Sequence, residues 1–434
     1  MLQLLKDRNF LTFWVGEFIS VVGDHIVMLA FPWLVLQLTG SELMMGLVFA
    51  AQGLPRALLM LVGGAVVDRT SPRKMMLHTN VIRMLLVFTI AYLLYADTVT
   101  IGLVFVLALA FGIADAFFYP AATSILPSLV KKDNLKEGNA LIQITMWLGV
   151  IIGPVIGGFV IAGEVNTVSH APSGHSVGLA DDRLGLARAF FLDGLTFAAS
   201  ALTLLFVRTR ALEKEEAVEE NTRSIVGEVK EAVLWVWSVP AIRLGFLGLA
   251  VLEFFFQAPV FVGLPALADL RFEEGAYIYG LEIAAYGTGA LIGASTAGFI
   301  KGPRDENIVR AMFIIFAFSG ATIGLIVLYP PYWWAMLVFF IAGVGDSWIW
   351  VHFTTLLQKR TPERLIGRVM SILMFMSVGL LPVAAIIMGV AFEANLEGTL
   401  MVASLAIMVA CAVGALHPYA RRMTAVESKD KAAV

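Results

Sequence analysis

Residues 64–74 read Gly64-Ala65-Val66-Val67-Asp68-Arg69-Thr70-Ser71-Pro72-Arg73-Lys74 and join two long apolar runs, which we predict at 42–66 and 75–95. Each run reaches the ~20 apolar residues that a transmembrane helix requires. Ordinary cytoplasmic loop charge would be enough to explain the arginines and the lysine. The glycine and Asp68 indicate something further, because a glycine lets two helices close together and a carboxylate can lie at the positive N-terminus of another helix.

The composition of the whole chain agrees with a membrane location. Of its 434 residues, 59% are hydrophobic and 15% are charged, whereas soluble proteins carry roughly 25% charged residues. The net charge of −3 and the lack of a basic stripe do not indicate a nucleic-acid-binding protein. The chain has one cysteine, Cys411, so an internal disulfide is excluded.

The apolar runs predict an all-α polytopic membrane protein. We place twelve spans at 10–37, 42–66, 75–95, 99–127, 138–162, 189–207, 241–266, 276–300, 307–329, 332–358, 365–391 and 396–418. Lysines and arginines gather at the termini and in the loops after even-numbered spans, while the opposite loops hold Arg183, Arg188 and Arg271. By the positive-inside rule, this asymmetry predicts a multi-pass protein of the bacterial inner membrane with both termini in the cytoplasm.

A charged stretch in the middle of the chain divides the spans into two sets of six. We predict an N-terminal half at 1–207, a cytoplasmic linker at 208–240, and a C-terminal half with a short cytoplasmic tail at 241–434. Within the linker, apolar residues at helical spacing predict an amphipathic helix on the membrane surface. These residues are Ile225, Val229, Ala232, Val233 and Val236. The acidic run at 213–220 is interpreted as a solvated face.

Two histidines, His170 and His175, lie in the polar outer loop between spans 5 and 6. A metal site there is conceivable, but two histidines without further ligands fit a mobile loop better. We therefore predict neither a metal nor a cofactor.

The two halves carry an internal repeat. Gly112-Ile113-Ala114-Asp115 in span 4 matches Gly343-Val344-Gly345-Asp346 in span 10, and Thr123 and Leu126 then match Thr354 and Leu357. Because many transporters are built from duplicated halves, this match predicts two pseudo-symmetric six-helix units.

The loop after span 2 resembles the signature of the major facilitator superfamily, which is a glycine, then Asp-Arg, then a basic pair. The second half has a weaker copy of this motif at the matching place, Gly298-Phe299-Ile300-Lys301-Gly302-Pro303-Arg304. The resemblance implies the major facilitator fold. It also implies a gating role for this loop, carried here by Gly64, Asp68, Arg69 and Arg73.

Span 5 carries small residues at four-residue spacing, a pattern that lets transmembrane backbones approach closely. They belong to a run that holds Gly149, Gly153, Pro154, Gly157 and Gly158. In this superfamily, Gly-Pro-x-x-Gly-Gly in span 5 is similar to the motif of exporters that exchange drugs or metabolites for protons. With Gly23-Asp24 and Phe118-Tyr119-Pro120-Ala121, the chain looks most like the macrolide-efflux and siderophore-export branch. It departs from many such exporters by having no arginine between Ile101 and Phe111, early in span 4.

Ionisable side chains inside spans are costly, so they mark candidate sites. Asp24, Asp115, Glu253 and Asp346 stand near the middle of spans 1, 4, 7 and 10, the spans that line the central cavity in the family that the chain resembles. We interpret them as substrate- or proton-binding residues, together with Glu17 on the same face as Asp24. Arg56 is interpreted as the one deep cation of the first half, paired with Asp24 or Asp115. The alternative is that these charges form structural ion pairs alone.

These features predict a secondary transporter, not an enzyme. We expect it to export an amphipathic small organic molecule, by alternating access and in exchange for protons, as a monomer in contact with membrane lipid and not nucleic acid. Asp115 and Asp346 are the predicted proton-coupling pair, while Asp24, held ionised by Arg56, is assigned to binding or gating. The alternatives are a lipid or lysolipid flippase, a passive facilitator on the same fold, and a membrane receptor or scaffold.

Overall fold

The structure is a computed structural model that describes residues 4–131, 134–163, 182–209, 225–362 and 365–420. The side chains described exclude those at 61–65, 68, 69, 136 and 225–229. Within these ranges every regular element is a helix, which confirms the predicted all-α class.

Six long helices coincide with predicted spans 1–6. They are α1 (Arg8–Thr39), α2 (Glu42–Arg69), α3 (Pro72–Tyr95), α4 (Ile101–Leu129), α5 (Leu135–Ala162) and α6 (Arg183–Phe206). Their ends follow local chemistry. The Asp7 carboxylate accepts from the backbone N–H of Asn9 and Phe10 at the start of α1, and Gly40 ends that helix with a φ of 60°. The Ser41 hydroxyl then accepts from Met44 N–H to begin α2.

The rest of the chain is also helical where it is described. The short helix α7 (Ile225–Ser238) lies where the sequence predicts the amphipathic linker helix. Predicted span 7 consists of α8 (Pro240–Leu252), two π-helical turns (Glu253–Gln257 and Pro259–Gly263) and α9 (Leu264–Arg271). Spans 8–12 become α10 (Gly275–Thr296), α11 (Ile308–Leu328), α12 (Tyr332–Arg360), α13 (Ile366–Ala394) and α14 (Leu396–Leu416).

Length and apolar composition allow 11 of the described helical segments to cross a membrane, which confirms the polytopic prediction. Helix α10 is not among the 11, although its 22 residues reach ~33 Å at 1.5 Å per residue. Large apolar side chains lie on the outside of the protein, including Leu58, Phe206 and Leu416, each about two-thirds exposed. Because water would penalise such a surface, its natural surroundings are lipid.

The chain divides into two compact units, and each is described by itself. Unit 1 contains Met1–Glu213, Val260–Gly287 and Ala385–Leu396, while unit 2 contains Lys214–Pro259, Thr288–Ala384 and Glu397–Val434. In unit 1, α1 packs against α5 and α6, α2 packs against α4, and α3 packs against α6 and α4. In unit 2, α11 packs against α12 and α8. The domain limits at 207 and 241 stay predictions, because these units group residues by contact and not by duplication.

The predicted orientation can be tested with single cysteines in a Cys411→Ala background. Thr98 follows α3 and Glu306 precedes α11, and both side chains are exposed in the structure. If both termini are cytoplasmic, a membrane-impermeant maleimide added to intact cells labels Thr98→Cys and leaves Glu306→Cys unlabelled. Permeabilised cells, in which both positions should react, are the control. Labelling of Glu306→Cys in intact cells would contradict this topology.

Candidate functional site

A buried arginine joins three helices in unit 1. The Arg83 side chain on α3 is 1% exposed, and its Nη1 lies 3.2 Å from Asp115 Oδ1 on α4 and 3.4 Å from Asp24 Oδ1 on α1. Its Nη2 donates to Asn80 Oδ1 at 2.6 Å, and the Asn80 amide donates to Ser200 Oγ on α6. One guanidinium therefore ties α1, α3 and α4 together, and its partner Asn80 extends the connection to α6.

Two aromatic rings hold the same guanidinium. Arg83 Cζ lies 3.8 Å from the centroid of Phe118 and 4.3 Å from that of Phe197. The negative face of an aromatic ring attracts a cation, and the attraction is strongest where water is excluded. Phe118 belongs to the Phe118-Tyr119-Pro120-Ala121 stretch noted in the sequence, so this stretch supplies one of the two rings that contact the Arg83 guanidinium.

Arg56 takes a different place from the one that the sequence predicted. It forms the expected ion pair with Asp115, at 3.8 Å, but its side chain is 24% exposed. The interpretation of Arg56 as the one deep cation of the first half was wrong, because Arg83 lies deeper and makes closer contacts. Asp24 forms its ion pair with Arg83, not with Arg56, and Asp115 contacts both arginines.

Two further carboxylates lie near this network. Glu17, two turns before Asp24 on α1, lies within electrostatic range of Arg83, as its predicted place on the same face requires. Asp193 on α6 is fully buried. Sequence reasoning overlooked Asp193 and Arg83, although both are ionisable residues inside predicted spans. The cost argument that selected Asp24 would also have found them.

Glu253 and Asp346 belong to unit 2. Glu253, 6% exposed, begins the first π-helical turn, and its Oε2 has no hydrogen-bond partner in the part of the chain that the structure describes. Asp346 is 7% exposed and accepts a hydrogen bond from Ser319 Oγ at 2.6 Å. The four predicted carboxylates are therefore divided between the units, with Asp24 and Asp115 in unit 1.

The structure describes only part of the predicted gating motif. The side chains of Asp68 and Arg69, and the surroundings of Gly64, are outside the described part. Arg73 is described. Its Nε donates to Leu204 O and its Nη2 to Leu205 O, each at 2.7 Å. These carbonyls belong to the last turn of α6, where helical partners run out. Arg73 therefore caps α6, a structural contact that the sequence did not predict, while its gating role stays a prediction.

The small residues of span 5 lie against two helices of unit 1. A Cβ added at Gly149 would lie 2.5 Å from Val21 Cγ1, and one at Gly153 would lie 2.8 Å from Val22 O, both on α1. Gly157 faces Ile26 on the same helix.

The other side of this run faces α10. A Cβ at Gly158 would lie 2.7 Å from Ala276 O on α10, and the carbonyl of Pro154 faces Gly280. The sequence run thus forms a packing surface with two neighbours.

Among the residues described, no cluster of three or more His, Cys, Asp or Glu side chains could bind a metal ion. His170 and His175, the residues considered for a metal site, lie outside the described residues. The site that does emerge consists of carboxylates and guanidiniums. Such groups can bind a charged substrate or a proton.

Overpacking tests the span 5 surface. Gly153→Leu should reduce transport to background while the protein still inserts, because the leucine would drive α5 away from α1, and overpacking typically costs about 1–3 kcal/mol. The matched control is Gly102→Leu, because an added Cβ at Gly102 has nothing within 4 Å. Transport and membrane abundance should be measured for both variants. Normal transport by Gly153→Leu would show that this surface does not need close packing.

Charge deletion tests the arginine network. Arg83→Met leaves Asp24 without its ion-pair partner, so we expect a loss of about 3–5 kcal/mol in stability, seen as a lower Tm in detergent. Adding Asp24→Asn should restore part of the loss, since Asp115 keeps Arg56. Arg183→Met is the control: its pair with Asp97 is exposed and should contribute less than about 1 kcal/mol. Equal Tm values for Arg83→Met and Arg183→Met would refute a stabilising role for the buried network.

Sequence comparison finds relatives along nearly the whole chain. The chain is similar to the multidrug efflux pump Tap of Mycolicibacterium fortuitum, with 26% identity over 412 residues that cover 92% of this chain and 93% of the relative. It is also similar to the enterobactin exporter EntS of Salmonella paratyphi A, with 26% identity over 377 residues that cover 85% and 82% of the two chains.

Solved structures agree on the fold. The nucleoside transporter NupG matches with a TM-score of 0.69 at 12% identity, covering 93% of this chain and 97% of its own. A D-xylose-proton symporter matches with the same TM-score and identity, covering 94% and 97%. The Major Facilitator Superfamily sequence pattern matches residues 13–386. The chain therefore belongs to the Major Facilitator Superfamily, with the predicted fold, and is a membrane transporter rather than an enzyme.

Proposed function

We propose that this transporter exports an amphipathic small organic molecule from the bacterial cytoplasm in exchange for protons, by alternating access. The observation that carries the proposal is the network of Arg83, Asp24 and Asp115 in the interior of unit 1. Apolar side chains of similar volume would hold the helices together at least as well as buried ion pairs. Buried charge in a membrane bundle is therefore better explained by ion or substrate movement.

The direction of transport is supported by the relatives. Tap is named as a multidrug efflux pump and EntS as an enterobactin exporter, and both align over most of their lengths. Export across the inner membrane is also consistent with the exporter-like run of glycines in α5. The inner-membrane location and cytoplasmic termini belong to this proposal.

The exposed fractions of the three side chains indicate which of them contacts the substrate. The side chain of Asp24 is 24% exposed, whereas those of Asp115 and Arg83 are 4% and 1% exposed. Asp24 is therefore the most accessible of these three side chains, and we assign the substrate contact to it. A cationic group would compete with Arg83 for Asp24, and an apolar body would suit the helical walls. These requirements describe an amphipathic molecule, with a cationic one favoured.

The contacts change the expected roles of the carboxylates. Asp115 and Asp346 were predicted to couple protons, and Asp24 was predicted to be held ionised by Arg56 and to serve binding or gating. In the structure, Asp115 contacts both arginines, and two adjacent cations favour an ionised carboxylate. We therefore assign Asp115 to the permanent ion-pair frame and Asp24 to substrate competition. Proton carriage then belongs to carboxylates that contact no guanidinium among the described side chains, such as Glu253 in unit 2.

Alternating access is supported by the packing at one end of unit 1. The end of α1 and the start of α2 contact segments that come late in the sequence: Gln37 Nε2 donates to Asp269 Oδ1 at 2.8 Å, and Ser41 donates to Glu393. A Cβ at Gly389 of α13 would lie 3.0 Å from Leu43 Cα on α2. Polar pairs, a close glycine contact and buried apolar side chains such as Leu34 and Met45 close this end, and alternating access requires these contacts to open in the other state.

Proton release on substrate binding tests the exchange. A panel of ethidium, a macrolide, a catecholate siderophore and a lysolipid is first screened for binding by tryptophan fluorescence. The tightest ligand is then added to purified protein in weakly buffered detergent. We expect a fall in pH with the wild type and weaker binding with Asp24→Asn, because the asparagine lacks the charge that the substrate contacts.

Asp97→Asn is the matched control, since Asp97 is an exposed loop carboxylate that should affect neither binding nor proton release. Ligand binding without any pH change in the wild type would overturn proton exchange and favour a passive facilitator. Tight binding of the lysolipid alone would favour a flippase.

A further inference from the structure

Asp193 on α6 is a carboxylate that the ion-pair network does not neutralise. The residue is 0% exposed. Its Oδ1 accepts a hydrogen bond from Thr196 Oγ1 at 3.1 Å, and its Oδ2 has no hydrogen-bond partner within the described ranges. A carboxylate in such a place differs from Asp24 and Asp115, which both contact Arg83.

We propose that Asp193 carries a proton in the conformation seen here and releases it when substrate binds, which makes it the proton carrier of unit 1. This inference rests on the proposed proton exchange and adds to it a residue that neither the motifs nor the repeat selected.

The first argument is the balance of charge. Among the described side chains of unit 1, Arg83 pairs with Asp24 and Asp115, and Arg56 pairs with Asp115. No ion pair reaches Asp193 within the same described part. Burying an ionised carboxylate without a cation is among the most costly arrangements in a protein, so such a group takes up a proton instead.

The neighbouring helices support this assignment. The ionisable groups that face Asp193 are Asp24 from α1, Arg83 from α3 and Asp115 from α4. Helix α5 also packs against α6, and its sequence from 139 to 162 contains no ionisable residue. Two of the three facing charges are negative and Arg83 already pairs with both. An added negative charge at Asp193 would therefore be repelled.

The close approach of α1 and α6 at Gly23 explains how substrate binding at Asp24 can affect the proton on Asp193. A Cβ on Gly23 would collide with Asp193 Oδ1 and would lie 2.9 Å from Thr196 Cβ. Only a residue without a side chain lets α1 come so close to α6, and the next residue on α1 is the partly exposed Asp24. Arg83 lies over Phe197, one turn along α6 from Asp193. Asp24 and Asp193 thus both lie within electrostatic range of the same guanidinium.

These positions define a proton-balanced step. A cationic substrate pairs with Asp24 and displaces Arg83 from it. The freed guanidinium then stabilises a carboxylate at Asp193, the O–H bond of Asp193 breaks, and the proton leaves through the partly exposed Asp24 side. On substrate release, Asp193 takes up a proton and Arg83 returns to Asp24. One proton moves for each substrate cation, and the charge within unit 1 is conserved.

Infrared difference spectroscopy tests the inference directly. The wild type without ligand should show the C=O stretching band of a protonated, buried carboxyl group. The component of this band that comes from Asp193 should disappear when the tightest ligand of the panel is added, and it should be absent from Asp193→Asn, whereas the component from Glu253 should remain in that variant. That variant should keep ligand binding but release one proton fewer per ligand than the wild type. Asp97→Asn serves as the control with an unchanged band.

The outcomes separate the two proposals. If the Asp193 component is present in the wild type and lost in Asp193→Asn, yet substrate releases no proton, then Asp193 is protonated but proton exchange fails. If the wild type releases protons and Asp193→Asn releases as many, Asp193 is not the carrier, although exchange stands. Should Asp193→Asn fail to insert, Asp193→Glu keeps the test open, because it should shift that component. An unshifted component would overturn the assignment.

Discussion

The fold of unit 1 depends on placing one guanidinium inside a helical bundle. Arg83 is almost fully buried, and the bundle can tolerate its charge because Asp24, Asp115 and Asn80 supply oxygen atoms and two aromatic rings cover its faces. Removing the guanidinium would leave Asp24 without a cation in a medium of low dielectric constant. Three helices must therefore keep their registers relative to α3. The arginine thereby determines where the partly exposed Asp24 side chain lies.

Packing by small residues complements this electrostatic constraint. Gly23 lets α1 reach α6 beside Asp193, and Gly149 and Gly153 let α5 reach α1 on its other side. Helix α1 is therefore held between two close contacts while it carries Asp24. In a membrane, where lipid is as apolar as the protein interior, such close backbone packing replaces the hydrophobic effect as the force between helices.

Much of the fold could be predicted from the sequence, but less of the site. The spans follow from apolar length alone, and the family follows from a few motifs with fixed spacing. The partners of each charge could not be predicted, because helical spacing gives the face of a residue and not the helix that it meets. Arg83 itself, by contrast, could have been found from its place inside predicted span 3, where a charge is costly. The packing of α5 on both α1 and α10 likewise depends on tertiary contacts, while the sequence predicted a close neighbour without identifying it.

We propose that substrate and proton compete through one arginine, Arg83. The most direct test of this claim is uphill transport in liposomes that contain the purified protein. An imposed pH gradient alone should drive accumulation of the tightest ligand against its own gradient, and a protonophore should abolish it. Accumulation at the same rate with and without the pH gradient would contradict the account.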